Sequence, residues 1–548
     1  MRRRRIASVL AAVAMLAAAG CTAAAQTPNN IEVDGNAWTQ HGLLRIAGDE
    51  VPDNLNPLLG TETIDTDLSM FWGAYLFLLD DTTQYVPELA LQVPTVENGG
   101  VSRDGLTITY HLRPHVVWQD GEPFTADDVL YSWQQVMNPH NDVSSRQGYD
   151  AIARIDEPDN LTIVVHLKRR YAPFVATFFT MSSETYSILP EHLLDRYGSL
   201  DDVRFNQLPV GTGPFEIVSN LNGTIKMVAN QRYWRGPPKL REIDYQSVGD
   251  DQTLLDMVRS HRVDFYANAS QALEPQLHGI RGATVYLYPF TRFTDLGFNT
   301  SRPQLRDVRV RRALAYATDR NQLIDHVTHG VNLPADSDQP PFLWAHADDL
   351  PRYPYNPRLA DQLLEQAGWI MGPDGVRHKD GVSMTLSMVG YSGSSTVTET
   401  EAWIAAQWRQ VGVQVMVHNY PSDVLYAPEA QGGIEQSGKF DVVFEEWANG
   451  VDPDESQLFL CDLTPPAGWN IYHYCDPQLD AAEAAAISNY GTSQRKAAYA
   501  DVQRILDADL PIFVLWFQQR QDVVNIDLKN YRPASAVSPF WNSWEWEI

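Results

Sequence analysis

The sequence predicts an α/β protein built on mixed sheets, and three observations carry that prediction. Apolar runs with period two alternate with helical stripes along the whole chain instead of segregating into strand-rich and helix-rich parts. A length of 548 residues exceeds one core and suggests two or three domains of about 150 residues each. A 44% hydrophobic share, with only 34 glycines and 34 prolines, supplies packed cores and argues against disorder. No internal repeat, low-complexity block or long linker interrupts the pattern.

The chain opens with MRRRRIASVLAAVAMLAAAGC: a basic head, an apolar run, then small residues before Cys21. This is the pattern of a signal peptide, residues 1–20, with a lipobox-like end at Ala18-Ala19-Gly20-Cys21, although the usual leucine is Ala18. It predicts diacylglyceryl attachment at Cys21, a polar tether over 21–41, and anchorage at the outer face of the cell membrane. The alternative is an uncleaved anchor, against which stands an apolar run shorter than the ~20 residues of a span. Cleavage removes four arginines and no acid. The 41 basic residues less those four leave 37 against 69 acidic ones, a net of −32, which disfavours nucleic acid and anionic lipid as partners.

Leu43–Gly48 reads as a strand, and Asp53-Asn54-Leu55-Asn56-Pro57 as the turn after it. Phe71–Asp80 is apolar and expected to be buried. Leu106–Leu112 alternates as a half-buried strand. His111 and His115 are four apart, but Pro114 breaks any helix between them, which favours strand or surface histidines over a zinc pair. Thr125 is placed to cap a helix, with Asp128 at its third position and Pro139 at its end; Val129, Leu130, Trp133, Val136 and Met137 share one face. Leu161–Leu167 is another strand.

In the stretch Leu208–Ile243, Gly211-Thr212-Gly213-Pro214 reads as a tight backbone crossing whose glycines supply dihedrals that other residues avoid. Asn222-Gly223 between Phe215–Ser219 and Ile225–Ala229 is a hairpin signal. Asn230, Tyr233, Trp234, Gly236 and Pro238 form an aromatic corner. The glycine pair lacks both the third glycine of a dinucleotide loop and the Lys-Ser/Thr of a phosphate loop.

Leu296–Thr300 ends a strand, and two helices follow Asp307, with stripes Val308, Val310, Ala313, Leu314, Ala317 and then Leu323, Ile324, Val327 up to Gly330. Asn356-Pro357 starts a helix that Gly368 follows. Residues 383–389 and 411–417 read as strands around a helix over Thr400–Gln410. Asp476-Pro477 caps a helix through Ala486, Ser493–Ala508 is the last long helix, and Pro511–Phe517 a final buried strand.

After Cys21 only Cys461 and Cys475 remain, fourteen apart. Outside the cytoplasm they are expected to form one disulfide; the metal-pair alternative lacks a second pair at zinc spacing. No G-x-S-x-G, H-E-x-x-H or Cys-His nucleophile is present. Asp250/Asp251 or Glu445/Glu446 leave open a glycosidase-like dyad, although adjacent acids on a strand point to opposite faces. An acid-dyad glycoside hydrolase is therefore the competing reading, and no enzyme the preferred one.

The stretch Leu208–Ile243 carries GTGPF followed by N-x-x-Y-W-x-G-x-P-x-L-x-x-I. In this it resembles the peptide-binding family, family 5, of extracytoplasmic solute-binding lipoproteins that feed ABC importers, of the dipeptide and oligopeptide type. Blocks at Asp120–Ser132, Leu296–Ile324 and Asn356–Trp369 extend the resemblance over nearly the whole mature chain. It implies a two-lobed periplasmic-binding-protein fold of the large type, crossed more than once at its hinge. Lobe I would comprise 42–75, 205–297 and 514–548, an inserted domain 76–204, and lobe II 298–513. It further implies a monomer without cofactor or metal that captures short peptides by hinge closure and passes them to ABC permease membrane subunits. Haem, nickel complexes or an oligosaccharide are the alternative ligands within the same fold; most of the fifteen tryptophans, Trp133 and Trp408 among them, are expected in cores, but others could stack on such a ligand.

For the site, the strand Phe440–Phe444 leads into Glu445-Glu446-Trp447-Ala448-Asn449-Gly450-Val451-Asp452-Pro453-Asp454. In the family such a strand ends at a tryptophan, and an aspartate shortly after it receives the peptide's ammonium. The usual place is Gly450 here, so Asp452 is the candidate, with Glu446 next. The bland alternative is that Asp452-Pro453-Asp454 only turns the chain. Trp447 is expected to line the cleft, Asn449 and Gly450 to offer amide or backbone bonds, and Leu55 and Asn56 to border the ligand. The family's carboxylate-binding arginine is missing, since Phe444, Glu445 and Glu446 occupy its place, which favours ligands longer than two residues.

Overall fold

Two long antiparallel strands, Ala283–Phe298 and Ile512–Asn525, run side by side through the middle of an eleven-stranded mixed sheet. The computed structural model describes residues 35–548 apart from 61, 183–185 and 537; the expected signal peptide, Cys21 and most of the tether lie outside the described residues. To one side of the long pair the order is Phe265–Tyr266, Leu43–Gly48, Glu242–Ser247, Thr224–Ala229, Phe215–Leu221. To the other it is Val442–Ala448, Thr385–Tyr391, Gln414–Tyr420, and the eleventh strand, Leu333–Pro334, pairs with Ile512–Asn525 off this path. Leu43–Gly48 and Thr385–Tyr391 are each parallel to both neighbours, and the long pair is antiparallel, so the sheet is mixed.

Ladder register between the long strands breaks between Pro289 and Phe293 and again at Thr294/Asp295. Pro289 has no N–H to donate, and such irregularities bend a sheet. The break divides it: Ala283–Pro289 pairs with Gln519–Asn525, Phe293–Gly297 with Ile512–Phe517. One half packs Leu44, Ile46, Phe71, Phe215, Tyr245 and Trp546 into its core. The other packs Phe298, Leu314, Leu386, Trp408, Phe444 and Phe513. A third core, including Ile108, Trp118, Val129, Phe174 and Phe178, gathers about a three-stranded sheet of Thr107–His111, Thr162–Leu167 and Ile152–Asp159.

The Gly211 crossing exists, for a different reason than dihedral freedom. Neither Gly211 nor Gly213 has a positive φ. A Cβ on Gly211 would instead lie 1.6 Å from the Trp72 carbonyl oxygen, so the strand entry and the end of helix Thr63–Trp72 touch backbone to backbone. The buried Asn230 amide locks this contact by donating to the Gly213 carbonyl at 2.9 Å. Tyr233 and Trp234 both donate to Glu88 Oε1, at 3.0 and 2.9 Å, tying the aromatic corner to the third core's segment. Asn222 and Gly223 take the positive φ of the hairpin turn.

Local stop and start signals match the helices. Thr125 and Asp128 form a capping box ahead of Ala126–Met137, and Asp307, Asn356 and Asp476 each accept a backbone N–H at a helix start. The helix expected from Thr400 begins at Ser395, because Ser394 accepts from Val397 N–H and caps it earlier. Asp250 caps Asp251–Arg259, so that acid doublet is not on a strand. Cys461 and Cys475 are disulfide-bonded. The last strand overruns its expected end at Phe517 and continues to Asn525 through a polar run.

Candidate ligand-binding cleft

That polar run, and the kink in its partner strand, put Phe290, Thr291, Arg292, Gln518, Gln519 and Arg520 where the two halves of the sheet meet. Three cavities of about 440, 220 and 430 Å³ open there, and all three share Arg292. They form a string of pockets, not one compact chamber. The first lies between Asp49, Glu50 and Asn268 on one half and Tyr391, Ser394 and Glu446 on the other. The second is bounded by the start of helix Thr63–Trp72 and by Asn449 and Gly450. The third is walled by Trp447, Tyr426, Trp469 and Tyr472 around Glu435 and Glu445.

The cationic groups at the centre are already engaged. Arg520 pairs with the buried Asp67 at 3.1 Å and lies 4.0 Å over the Phe290 ring. Burial pushes the Asp67 carboxyl up against the opposing pull of Arg520. Arg292 donates to Thr63 Oγ1 at 3.0 Å.

The acids are less well matched. Glu446 accepts from Gln518 Nε2 at 2.7 Å and from the Tyr391 hydroxyl at 3.4 Å, with no cation bonded to it among the described residues. Glu445 is pushed up to about 7, first by burial and further by Glu446, although a hydrogen bond with Glu435 opposes the rise. Burial and Glu445 hold Glu435 well above the usual carboxylate range. Asp295 behind them, fully buried with neither carboxyl oxygen bonded among the described residues, is raised for the same reasons.

The strand Val442–Ala448 supplies backbone as well as side chains. Its ladder to Ala283–Phe298 runs through Ala448, but its ladder to Thr385–Tyr391 covers only Val442 and Val443. Among the described residues, one edge of Phe444–Ala448 therefore has no strand neighbour, and Glu445, Glu446 and Trp447 line the third cavity beside it.

Of the residues singled out in the sequence, Glu446, Trp447, Asn449 and Gly450 line these cavities. Asp452 does not; its carboxylate faces Arg495 instead. Arg495 Nη1 meets Asp452 Oδ2 at 2.6 Å, and Nη2 meets Oδ1 as well, so the carboxylate is already neutralised inside the protein. Burial works against the Arg495 charge, but Asp452 outweighs it and holds the guanidinium firmly protonated. Leu55 and Asn56 also line none of the three cavities. Leu55 N–H donates to the Asn206 carbonyl at 2.9 Å, and Asn56, fully buried, donates to the Asn206 side chain and accepts from Leu58 N–H. Their work is to fix the loop.

Segments from opposite sides of the cleft also meet directly. Tyr171 donates to Asp454 at 2.8 Å, Ala172 N–H to the Ile487 carbonyl at 2.6 Å, and Tyr490 to the Gly105 carbonyl at 2.9 Å. The cleft residues that sequence reasoning missed are Phe290, Thr291, Arg292, Gln518 and Arg520. For Gln518 and Arg520 the available signal was a charged and amide-rich run, Gln518–Asp522, continuing an otherwise buried strand.

Comparison with known proteins agrees with this architecture. A model of the family described as bacterial extracellular solute-binding proteins, family 5 (middle), matches residues 84–468. Protein XP55 of Streptomyces lividans is 29% identical over 512 residues, covering 91% of this chain and 87% of that protein. The oligopeptide-binding protein AppA of Bacillus subtilis is 21% identical over 546 residues, 97% of each. Among solved structures, NikZ from Campylobacter jejuni in complex with Ni(L-His) aligns with a TM-score of 0.79 at 24% identity, over 93% of this chain and 100% of that one. AppA with a nonapeptide aligns at 0.76 and 21%, over 92% and 98%. The fold is two-lobed, and the kinked strand pair joins the lobes.

Proposed function

Because the chain belongs to the bacterial extracellular solute-binding proteins of family 5, we propose that it captures short peptides in the interlobe cleft and delivers them to the membrane subunits of an ABC importer. The observation that carries this reading is the open edge of Phe444–Ala448 beside a string of pockets. A receptor for many peptides binds what they share, the extended backbone, by strand-like hydrogen bonds, and leaves separate spaces for side chains. A strand edge offers alternating N–H and C=O groups at the repeat of an extended peptide.

Closure of the lobes strengthens those bonds by excluding water. The peptide ammonium goes to Glu446, since Asp452 is occupied by Arg495, and an ammonium buried without a partner costs several kcal/mol. No arginine stands beside Trp447 in the sequence to fix a terminal carboxylate at a set distance, which suits ligands longer than two residues. A lipid on Cys21 keeps the receptor at the outer membrane face, near its permease.

Native mass spectrometry of the protein with a mixed peptide library tests the reading. Bound peptides of several lengths, recovered intact, are expected; haem, saccharide or cleaved peptide would overturn it. Glu446→Gln should weaken a free-amine peptide by at least tenfold more than its N-acetylated twin, measured by calorimetry.

A further inference from the structure

We infer that the third cavity is a side-chain pocket for a cationic residue of the bound peptide, arginine or lysine, held between Glu435, Glu445 and the aromatic walls of Trp447, Tyr426 and Tyr472. This rests on the peptide reading above and adds a substrate preference to it.

The cavity, about 430 Å³, is within the range of small-molecule pockets and exceeds what one long side chain needs, so water accompanies it. Three glutamates line it, and its single cationic lining residue, Arg292, is turned to Thr63. Glu435 is 2% exposed and Glu445 9% exposed, and the Oε1 atom of each has no hydrogen-bond partner among the described residues. Buried carboxyl oxygens without partners are costly, and a cationic donor entering from the cleft relieves two of them together. Among the described residues no group of three or more His, Cys, Asp and Glu is arranged to hold a metal ion.

The aromatic walls point the same way. A cation over aromatic faces gains from their quadrupoles, and a guanidinium, flat and weakly hydrated, stacks there more readily than an ammonium. Glu435 and Glu445 lie close enough to interact with each other, so one cation can meet both.

The test is calorimetry with an alanine pentapeptide and versions carrying one arginine, or its neutral isostere citrulline, at each position. At one position arginine is expected to bind at least tenfold more tightly than citrulline, and the Glu435→Gln/Glu445→Gln protein should lose that ratio. Equal affinities at every position, or a ratio that survives in the variant, overturn the pocket. Because the ratio is read within each protein, it is its own control; if the double variant does not fold, Glu445→Gln alone carries the comparison. The alanine pentapeptide reads the peptide proposal separately. Argininamide against citrullinamide, followed by NMR, reads the pocket even if no peptide binds. Displacement of argininamide by calcium ion would reassign the site to a metal and overturn the inference.

Discussion

Asp452 and Arg495 neutralise each other away from the three cavities. The pair is bidentate and buried, and Arg495 stacks within 5.2 Å of Trp344, whose indole donates to the Val451 carbonyl at 2.8 Å. Removing one partner of such a pair leaves an uncompensated charge in a dry place. Asp452→Asn is therefore expected to destabilise the protein by about 3–5 kcal/mol in urea unfolding. It should weaken free-amine and N-acetylated peptides by the same factor, because it disturbs the frame and not the amine contact. A selective loss for the free amine would return Asp452 to the ligand and displace Glu446.

At the scale of the element, the strand Val442–Ala448 carries carboxyls whose protonation is set by the fold. Glu445 is pushed up to about 7 and Glu435 well above its ordinary range, with Asp295, Glu446, Tyr426 and Tyr472 facing the pair. An acid whose folded value is raised holds a proton that the unfolded chain releases. Stability is then greatest at low pH within the window and falls as pH rises from about 4.5 towards neutrality. Thermal melts should show a lower Tm at pH 8 than at pH 5. Other buried acids, Asp65 and Asp507 among them, are each raised to about 8 by burial and lean the same way, so the diagnostic is a comparison between proteins. Glu445→Gln should raise Tm at pH 8 and flatten the slope; an unchanged slope would mean that the pair ionises freely.

For the whole molecule, the two long strands run from one lobe to the other, and under the proposed closure their broken register is where bending is easiest. The hydrogen bonds from Tyr171 to Asp454 and from Ala172 to Ile487 join segments on opposite sides of the cleft, and the proposed closure would keep them. Small-angle scattering should show a smaller radius of gyration with saturating peptide than without. An identical radius in both states would rule out hinge closure as the means of capture.

The sequence by itself determined what depends on near neighbours. Thr125 with Asp128, Asn222-Gly223 and Asp476-Pro477 act within four residues, and the helices and hairpin they announce are present. The spacing of Gly211, Gly213, Asn230, Tyr233 and Trp234 was legible as one unit, and the family model covers that stretch. Tertiary structure decided why Gly211 is glycine, since the atom it avoids belongs to Trp72. It also decided that Gln518–Asp522 lies in a strand, because its polar groups find partners across the sheet that periodicity cannot foresee. The same holds at the site. An aspartate near a tryptophan has one meaning if its carboxylate is free and another if Arg495, forty-three residues on, has taken it. Glu446 and Asp452 look alike in the chain, and only the packing of distant segments says which charge is still open to a ligand.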